Sequence, residues 1–259
     1  KDASAAIYGA AGAKGGVLVT TKRGKVGKPS ISYNGYAGIT DAATKPNLLS
    51  AYEHAQLLNE GHRINNSPED RFFSPEDLEY LKGLNTESWY DQIWQASLMQ
   101  RHNLSVSGGS DRTTYFVGGS YQNENGNYAG MKLDKYSMRS GLSATILDGL
   151  KADINFNVDH RIRESKNNLG NGTDNDFFEA LVSAPQWIPL QIDGMPVYFN
   201  RGNVRNPLAI TESGYSDSRK SQSYRINASL SYQPKFIPGL TAKFQVSQGG
   251  GSFNNSTYI

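Results

Sequence analysis

The chain has 259 residues, a formal net charge of +2, 27 glycines, 15 tyrosines and no cysteine. The nearly balanced charge argues against a nucleic-acid partner, the absence of cysteine excludes disulfides and cysteine–zinc sites, and no apolar run is long enough for a transmembrane helix. The many glycines and tyrosines favour strands and turns over helix.

The first candidate site is the glycine-rich stretch Gly9-Ala-Ala-Gly-Ala-Lys-Gly-Gly. A phosphate-binding loop needs Gly-Lys-Ser/Thr at the start of a helix. Here Lys14 precedes the two glycines, and the following Val17-Leu-Val-Thr-Thr21 is β-branched and predicts a strand. The order argues against a nucleotide site.

From Pro29 onward, apolar and polar residues alternate with a period of two, which predicts β-strands. Seven segments carry the alternation: residues 31–40, 103–107, 115–121, 136–146, 150–161, 223–232 and 240–246. The charged residues among the polar positions share one predicted face of the sheet: Arg139, Lys151, Asp153, Asp159, Arg161 and Arg225. We expect these six to face the inside of a barrel, where they line the lumen or hold a plug, because a charge on a lipid-facing position is strongly destabilising.

The connections between the predicted strands alternate between short and long. Tight turns at residues 109–112 and 148–149 and a short connection at 234–239 alternate with a loop near 123–134 and with two excursions, residues 41–98 and 164–220. An up-and-down meander with this rule has all its long loops at one end, as bacterial transmembrane β-barrels have. A soluble or surface β-sandwich that binds carbohydrate or mediates adhesion also alternates and stays open as the alternative.

Both long excursions predict local structure. Ser67-Pro-Glu-Asp70 and Ser74-Pro-Glu-Asp77 each offer a helix N-cap followed by proline and acidic residues. Helices are predicted at residues 48–59, 77–84 and 177–184, the last of them stopped by Pro185. Aromatic residues in these loops are candidates for stacking on a sugar or peptide, with packing inside the loops as the competing interpretation: Trp89, Trp94, Trp187 and Tyr198.

The sequence contains no arrangement of residues that is typical of a catalytic site or a metal site. The four histidines lack ligand spacing, and Asp174-Asn-Asp176 lacks the spacing of a calcium loop. Glu76 and Glu79, an acid pair that could suggest a glycosidase, are better explained as part of a helix start. We therefore expect no enzyme activity and no cofactor.

Several motifs resemble the SusC/RagA-like TonB-linked outer-membrane transporters of the Bacteroidetes group. In chain order these are Asp2-Ala-Ser-Ala-Ala-Ile-Tyr-Gly9 with Val17-Leu-Val-Thr-Thr-Lys-Arg-Gly24, Leu48-Leu-Ser-Ala-Tyr-Glu53, His102-Asn-Leu-Ser-Val-Ser-Gly-Gly-Ser-Asp-Arg-Thr-Thr-Tyr115, Phe177-Phe-Glu-Ala-Leu181 and Asn206-Pro-Leu-Ala-Ile210. The resemblance implies an all-β fold, an antiparallel up-and-down transmembrane barrel with helices in long extracellular loops. It assigns residues 1–28 to the end of a plug domain with its linker, and residues 29–259 to the first strands of the barrel.

The resemblance also implies a function and partners. Such a protein imports an oligosaccharide or a peptide across the bacterial outer membrane, together with a SusD-like surface lipoprotein and driven by the TonB-ExbB-ExbD complex. Since barrels of this class have about 22 strands, we expect the chain to be a piece of a longer protein.

Overall fold

The computed structural model describes residues 24–166, 174–201 and 204–258. The glycine-rich stretch, the predicted strand Val17-Leu-Val-Thr-Thr21 and most of the predicted plug segment lie outside these residues. Within the described ranges, no helix combines the length and the apolar composition needed to cross a membrane.

In the part of the chain that is described, seven long strands form one antiparallel sheet in which each strand pairs with the next long strand along the chain. They are β1 (Gly27–Thr40), β2 (Ser97–Gly109), β3 (Thr113–Asn125), β4 (Lys132–Leu147), β5 (Leu150–Ser165), β6 (Ser216–Tyr232) and β7 (Ala242–Tyr258). This order confirms the predicted up-and-down meander of antiparallel strands.

The pairing places the connections of unequal length at opposite ends of the sheet. Thr40 pairs with Ser97 and Ser165 with Asp217, so both long excursions leave and re-enter the sheet at one end. The connections 110–112, 148–149 and 233–241 lie at the other. We call these the loop end and the turn end.

The last strand runs further than the alternation predicts, because β7 continues through three glycines to Tyr258. Gly250 pairs with Tyr224, and a Cβ at Gly250 would lie 3.0 Å from the Tyr224 ring. The absence of a side chain therefore leaves room for the tyrosine ring, as is common where glycine occurs inside a strand.

The described parts of the long excursions contain five α-helices and two short ribbons. The helices are α1 (Ala51–Ile64), α2 (Pro75–Gly83), α3 (Trp89–Ile93), α4 (Asp174–Ser183) and α5 (Pro207–Glu212), and the ribbons pair residues 191–192 with 195–196 and 200–201 with 204–205. Ser50 and Ser74 cap α1 and α2 in capping boxes with Glu53 and Asp77.

One predicted helix start is wrong. The segment after Ser67 forms only a 3₁₀ turn, Glu69–Arg71, with no side-chain cap. The reason is that the Ser67 hydroxyl lies 3.2 Å from His62 Nδ1 at the end of α1, so it does not cap the segment that follows.

The buried apolar core lies among the excursions rather than in the sheet. Its main cluster, which we call the loop core, combines side chains from both excursions: Trp89, Tyr90, Phe177, Leu181, Ala184, Leu190 and Ile210. A second, smaller cluster joins α1 to α2 through Ala51, Ala55 and Leu81.

Candidate functional site

The polar face of the sheet carries the charged residues that the alternation predicts. Residues paired across antiparallel strands share a face, and Arg139, Asn157 and Arg225 form one such row across β4, β5 and β6. The other four predicted residues are odd-numbered positions of β5, and so lie on the same face as Asn157: Lys151, Asp153, Asp159 and Arg161.

A cleft of about 370 Å³ opens on this face over β1 to β4. Its polar lining includes Asn34, Arg101, Asn103, Gln122, Lys135 and Arg139. Two of its cations, Arg101 and Lys135, are absent from the sequence-based prediction. They lie just outside the segments in which the alternation is clear, and extending the period of two by one or two residues would have found them.

Carboxylates on the polar face are engaged by neighbouring side chains. Ser137 donates a hydrogen bond to Asp159 over 2.6 Å, and Ser143 donates one to Asp153. Among the described residues, Asp217 at the loop end forms an ion pair with Arg219 at 3.0 Å. The carboxylates are therefore bound by side chains of the sheet itself.

The opposite face of the sheet is apolar and exposed. Ile154 is 49% exposed, more than its neighbours Asp153 and Asn155 on the polar face, which are half-buried. Further exposed apolar side chains on this face are Ile31, Leu104, Val117, Met138, Leu142, Ile226, Leu230, Phe244 and Val246. Within the described part of the chain, no second sheet covers them, which argues against the β-sandwich.

A row of five rings crosses the apolar face of β1 to β5 near the loop end. The ring centroids of Tyr33 and His102 are 6.1 Å apart, and the row continues to Tyr121, Tyr136 and His160 with spacings of 6.5, 5.0 and 6.2 Å. We call this the aromatic row. Most of the exposed apolar side chains of the face lie on its turn side.

Polar groups lie on the loop side of the aromatic row. The Tyr121 hydroxyl and Asn123 Nδ2 donate hydrogen bonds to Asp134 over 3.0 and 2.8 Å, and Lys132 lies 2.9 Å from the same carboxylate. The phenol thus has an apolar surface on one side and charged groups on the other, which is how tyrosine is placed where a membrane meets water.

The two predicted tryptophans of the first excursion belong to the loop core or lie against it. Trp89 is 1% exposed, its ring meets Phe199 edge-on at 5.1 Å, and no face of its indole is open to a ligand in this conformation. Trp94 stacks on Tyr90 at 5.2 Å and donates a hydrogen bond to Asp41, which lowers the pKa of the Asp41 carboxyl.

The two predicted aromatics of the second excursion differ in exposure. Trp187 packs against the cluster between α1 and α2, with Phe73 at 5.3 Å and His54 at 5.0 Å. Tyr198 is 85% exposed, directly after the ribbon of residues 191–196. Of the four, Tyr198 presents the largest accessible ring to a molecule arriving at the loop end.

The chain reaches β1 from the polar side of the sheet. A small gap next to Gly24 is lined by Thr114, Gly141, Ser143 and Asn155, all on the polar face near the turn end. The residues before Gly24 lie outside the described part, so the predicted plug position stays a prediction. Likewise, no group of three metal-ligating side chains occurs in the part of the chain that is described.

Comparison with known proteins identifies relatives of this chain. No protein-family model matches the chain. The sequence is 29% identical over 261 residues to TonB-dependent receptor P3 of Formosa agariphila, covering 98% of this chain and 24% of that receptor. It is 26% identical over 277 residues to TonB-dependent receptor SusC of Bacteroides thetaiotaomicron, covering 96% and 25%. The chain is related to the TonB-dependent receptors.

Solved structures of related fold superpose on this chain. A chain of the RagAB peptide transporter superposes with a TM-score of 0.74 at 21% identity, covering 97% of this chain and 31% of that one. The RagAB peptide importer in the "closed-closed" state gives 0.72 with the same coverage. The predicted resemblance to SusC and RagA and the predicted fold class are thereby confirmed. The relatives named here are receptors and importers, not enzymes.

The chain spans about a quarter of the length of the curated relatives that it matches. What those longer proteins bind or transport therefore does not transfer directly to these residues.

Proposed function

We propose that the chain forms part of the wall and the extracellular loops of a nutrient importer in the bacterial outer membrane. The observation that carries the proposal is the two-faced sheet: an exposed apolar face opposite a face rich in charged side chains. Strands that cross a membrane alternate in this way between lipid and a polar lumen. On this basis Arg139 and the other five predicted residues line the lumen.

The aromatic row supports the orientation in the membrane. Outer-membrane barrels carry aromatic girdles at both interfaces around an apolar band of about 25 Å. The part of β5 from Leu150 to His160 is about 33 Å long at about 3.3 Å per residue. A strand tilt of about 45° reduces its height along the membrane normal to roughly the thickness of the apolar band. The loop end then lies outside the aromatic row, in water.

The loop end is the proposed site of capture. Connections longer than about 12–15 residues are normally functional or disordered, and here the loop core packs the described parts of both excursions together. We propose that these loops meet an oligosaccharide or peptide ligand and a SusD-like surface lipoprotein. Tyr198, Trp94 and Trp187 are the proposed contacts, and TonB-ExbB-ExbD acts from the turn end.

Replacement of the second excursion tests the proposal. In the protein as its host makes it, residues 167–214 are exchanged for a short Gly/Ser turn between β5 and β6, whose ends pair at Ser165 and Asp217. The matched control shortens the connection 234–239 at the turn end. We measure uptake of labelled oligosaccharides and peptides, copurification of a lipoprotein, and heat-modifiable migration as the sign of an inserted barrel.

The loop replacement is expected to abolish uptake and copurification while the barrel stays inserted, and the control keeps all three. Unchanged uptake and copurification in the loop replacement would exclude the loops from capture. Extraction of the unaltered protein from membranes by alkaline carbonate would instead support the surface β-sandwich.

A further inference from the structure

We infer that the cleft on the polar face is a binding subsite for an anionic group, so that the imported ligand is an acidic oligomer. This inference rests on the proposed function and names the class of substrate. The cleft is lined by three cations, Arg101, Lys135 and Arg139, and by no carboxylate. Its volume of about 370 Å³ lies within the range of small-molecule sites.

The arrangement of the cations is unfavourable for the wall alone. Lys135 and Arg161 stand directly opposite each other on β4 and β5, and like charges in that position destabilise a sheet. In the row four residues nearer the turn end, Arg139 and Arg225 flank Asn157. A repulsive set of this kind is explained when an anion enters between the cations.

The wall offers these cations few counter-charges. Within the described residues no ion pair joins Arg101, Lys135 or Arg139 to a carboxylate. Two acids stand diagonal to these cations on the same face. Glu124 accepts a hydrogen bond from Gln122 over 3.5 Å, and Asp159 stands opposite Ser137 and accepts that hydroxyl's hydrogen bond over 2.6 Å. These two carboxylates lower the local positive charge, but they are fewer than the cations Arg101, Lys135, Arg139 and Arg161 around them.

The neutral lining fits an oligomer that carries both charges and hydroxyl or amide groups. Asn34, Asn103 and Gln122 supply amides beside the cations, and these groups both donate and accept hydrogen bonds. Arginine binds a carboxylate through two parallel hydrogen bonds, whereas lysine acts as a point charge. A charged cleft with low-dielectric walls also raises the local concentration of anions.

The position of the cleft agrees with a role in uptake. Lys135 is the fourth residue of β4 counted from the loop end, so the cleft begins just inside the proposed entry. The segment before β1 could compete for the cleft through a carboxylate of its own. However, residues 1–23 contain a single acid, Asp2, and four cations, Lys1, Lys14, Lys22 and Arg23.

The test measures binding without transport, so its failure differs from failure of the proposed function. The protein as its host produces it is purified in detergent and titrated calorimetrically with tetragalacturonate, with neutral maltotetraose, and with tetraglutamate and tetraglutamine peptides. The variants are the double change Lys135→Gln with Arg139→Gln, and Lys135→Arg. The matched control is Lys243→Gln, which removes a cation from the same face at the turn end, opposite Ser231.

We expect an acidic probe to bind more tightly than its neutral counterpart, with an affinity that falls as salt increases. The double variant is expected to lose about tenfold or more of that affinity, since charge-assisted hydrogen bonds are lost. Lys135→Arg, which keeps the charge, is expected to lose much less, and Lys243→Gln retains the affinity. Binding of tetragalacturonate would indicate a glycan and binding of tetraglutamate a peptide, and either supports the inference.

The inference would be overturned by equal affinity for acidic and neutral probes, by no binding of the acidic probes, or by an unchanged affinity of the double variant. It would also be overturned by tighter binding of the acidic probes by an Asp2→Asn variant, because the cleft of the unaltered protein would then hold the chain's own carboxylate.

Discussion

The indole Nε1 of Trp89 donates a hydrogen bond to the carbonyl of Ile188, 2.9 Å away and 99 residues later in the chain. Thr86 makes a second such link, from its hydroxyl to the carbonyl of Gln186 at 2.7 Å. Together with the loop core, these bonds tie the first excursion to the second. The described parts of the two excursions therefore form one unit that can present a fixed surface at the loop end.

The change Trp89→Ala is expected to loosen both excursions at once. The indole is fully buried, and replacing a buried Trp with Ala costs about 3–5 kcal/mol. Amide hydrogen exchange should speed up in α3 and in α4, which contains Phe177 and Leu181, while the strand amides keep their protection. The control is Tyr198→Ala, which should leave both helices protected because Tyr198 is 85% exposed. Faster exchange in α3 alone would show that the excursions fold independently.

Asn206 organises the second excursion from a buried position. Its Nδ2 donates to the carbonyls of Leu190 and Val197, both at 2.8 Å, and its Oδ1 accepts from the backbone N–H of Leu208. The change Asn206→Ala leaves the carbonyl of Val197 and the N–H of Leu208 without this partner, and each buried unsatisfied group costs about 1–3 kcal/mol. The Leu190 carbonyl keeps its hydrogen bond from the N–H of Val197 at 3.1 Å.

We expect Asn206→Ala to make residues 190–208 sensitive to limited proteolysis under conditions in which the unaltered protein resists it. Thr211→Ala, which removes one hydroxyl bond to Leu208 at 3.1 Å, is the milder comparison. Equal resistance of Asn206→Ala and the unaltered protein would mean that the loop core alone holds the excursion.

The fold could be predicted from the sequence where a local pattern decides it. The alternation around Ile154 identified a strand, and Ser74 with Asp77 identified the start of α2. The limits of β7 could not be predicted in this way, because Gly250 lies in a strand only through its contact with Tyr224 on a neighbouring strand. Hydrogen-bonded pairing of β7 with β6 there outweighs the turn propensity of the glycines.

The candidate site was predictable in its chemistry but not in its grouping. The parity of Arg139 and Arg225 indicated one face, whereas the cleft also needs Arg101 from β2, whose distance from Lys135 depends on the register of three strands. The burial of Trp89 depends on contacts between excursions that are far apart in the sequence. No spacing rule within one segment carries that information.

Acidification is expected to weaken α1 and α2. Backbone N–H groups of Ser50 and Ser74 hydrogen-bond the carboxylates of Glu53 and Asp77 and lower the pKa of each. A pKa lowered by folding adds stability that is present above the unfolded value, about 4, and is lost as the pH falls through the folded value.

The protection factors of amides in α2, corrected for intrinsic exchange, should therefore decrease between neutral pH and about pH 3. The variant Asp77→Asn should show lower protection at neutral pH and a weaker dependence on pH in α2, with α1 unchanged. A pH dependence of α2 that persists in Asp77→Asn would assign the effect to another group.

A single arginine on either face of β6 should tell the lipid side from the lumen side. Ile226 lies on the apolar face, between Phe156 and Gln248 on the neighbouring strands, and is 40% exposed. Ser223 lies on the polar face between Asp159 and Gly251, where a new cation would meet a carboxylate and open space. If the apolar face contacts lipid, Ile226→Arg is expected to lower the free energy of unfolding by about 2–4 kcal/mol near the middle of the membrane, and Ser223→Arg to lower it far less.

Urea titration of the protein folded into phospholipid vesicles measures the difference between the two variants. Equal stability of the two variants would show that the apolar face is not in lipid, and the lumen assignment of Arg139 and Arg225 would be lost with it.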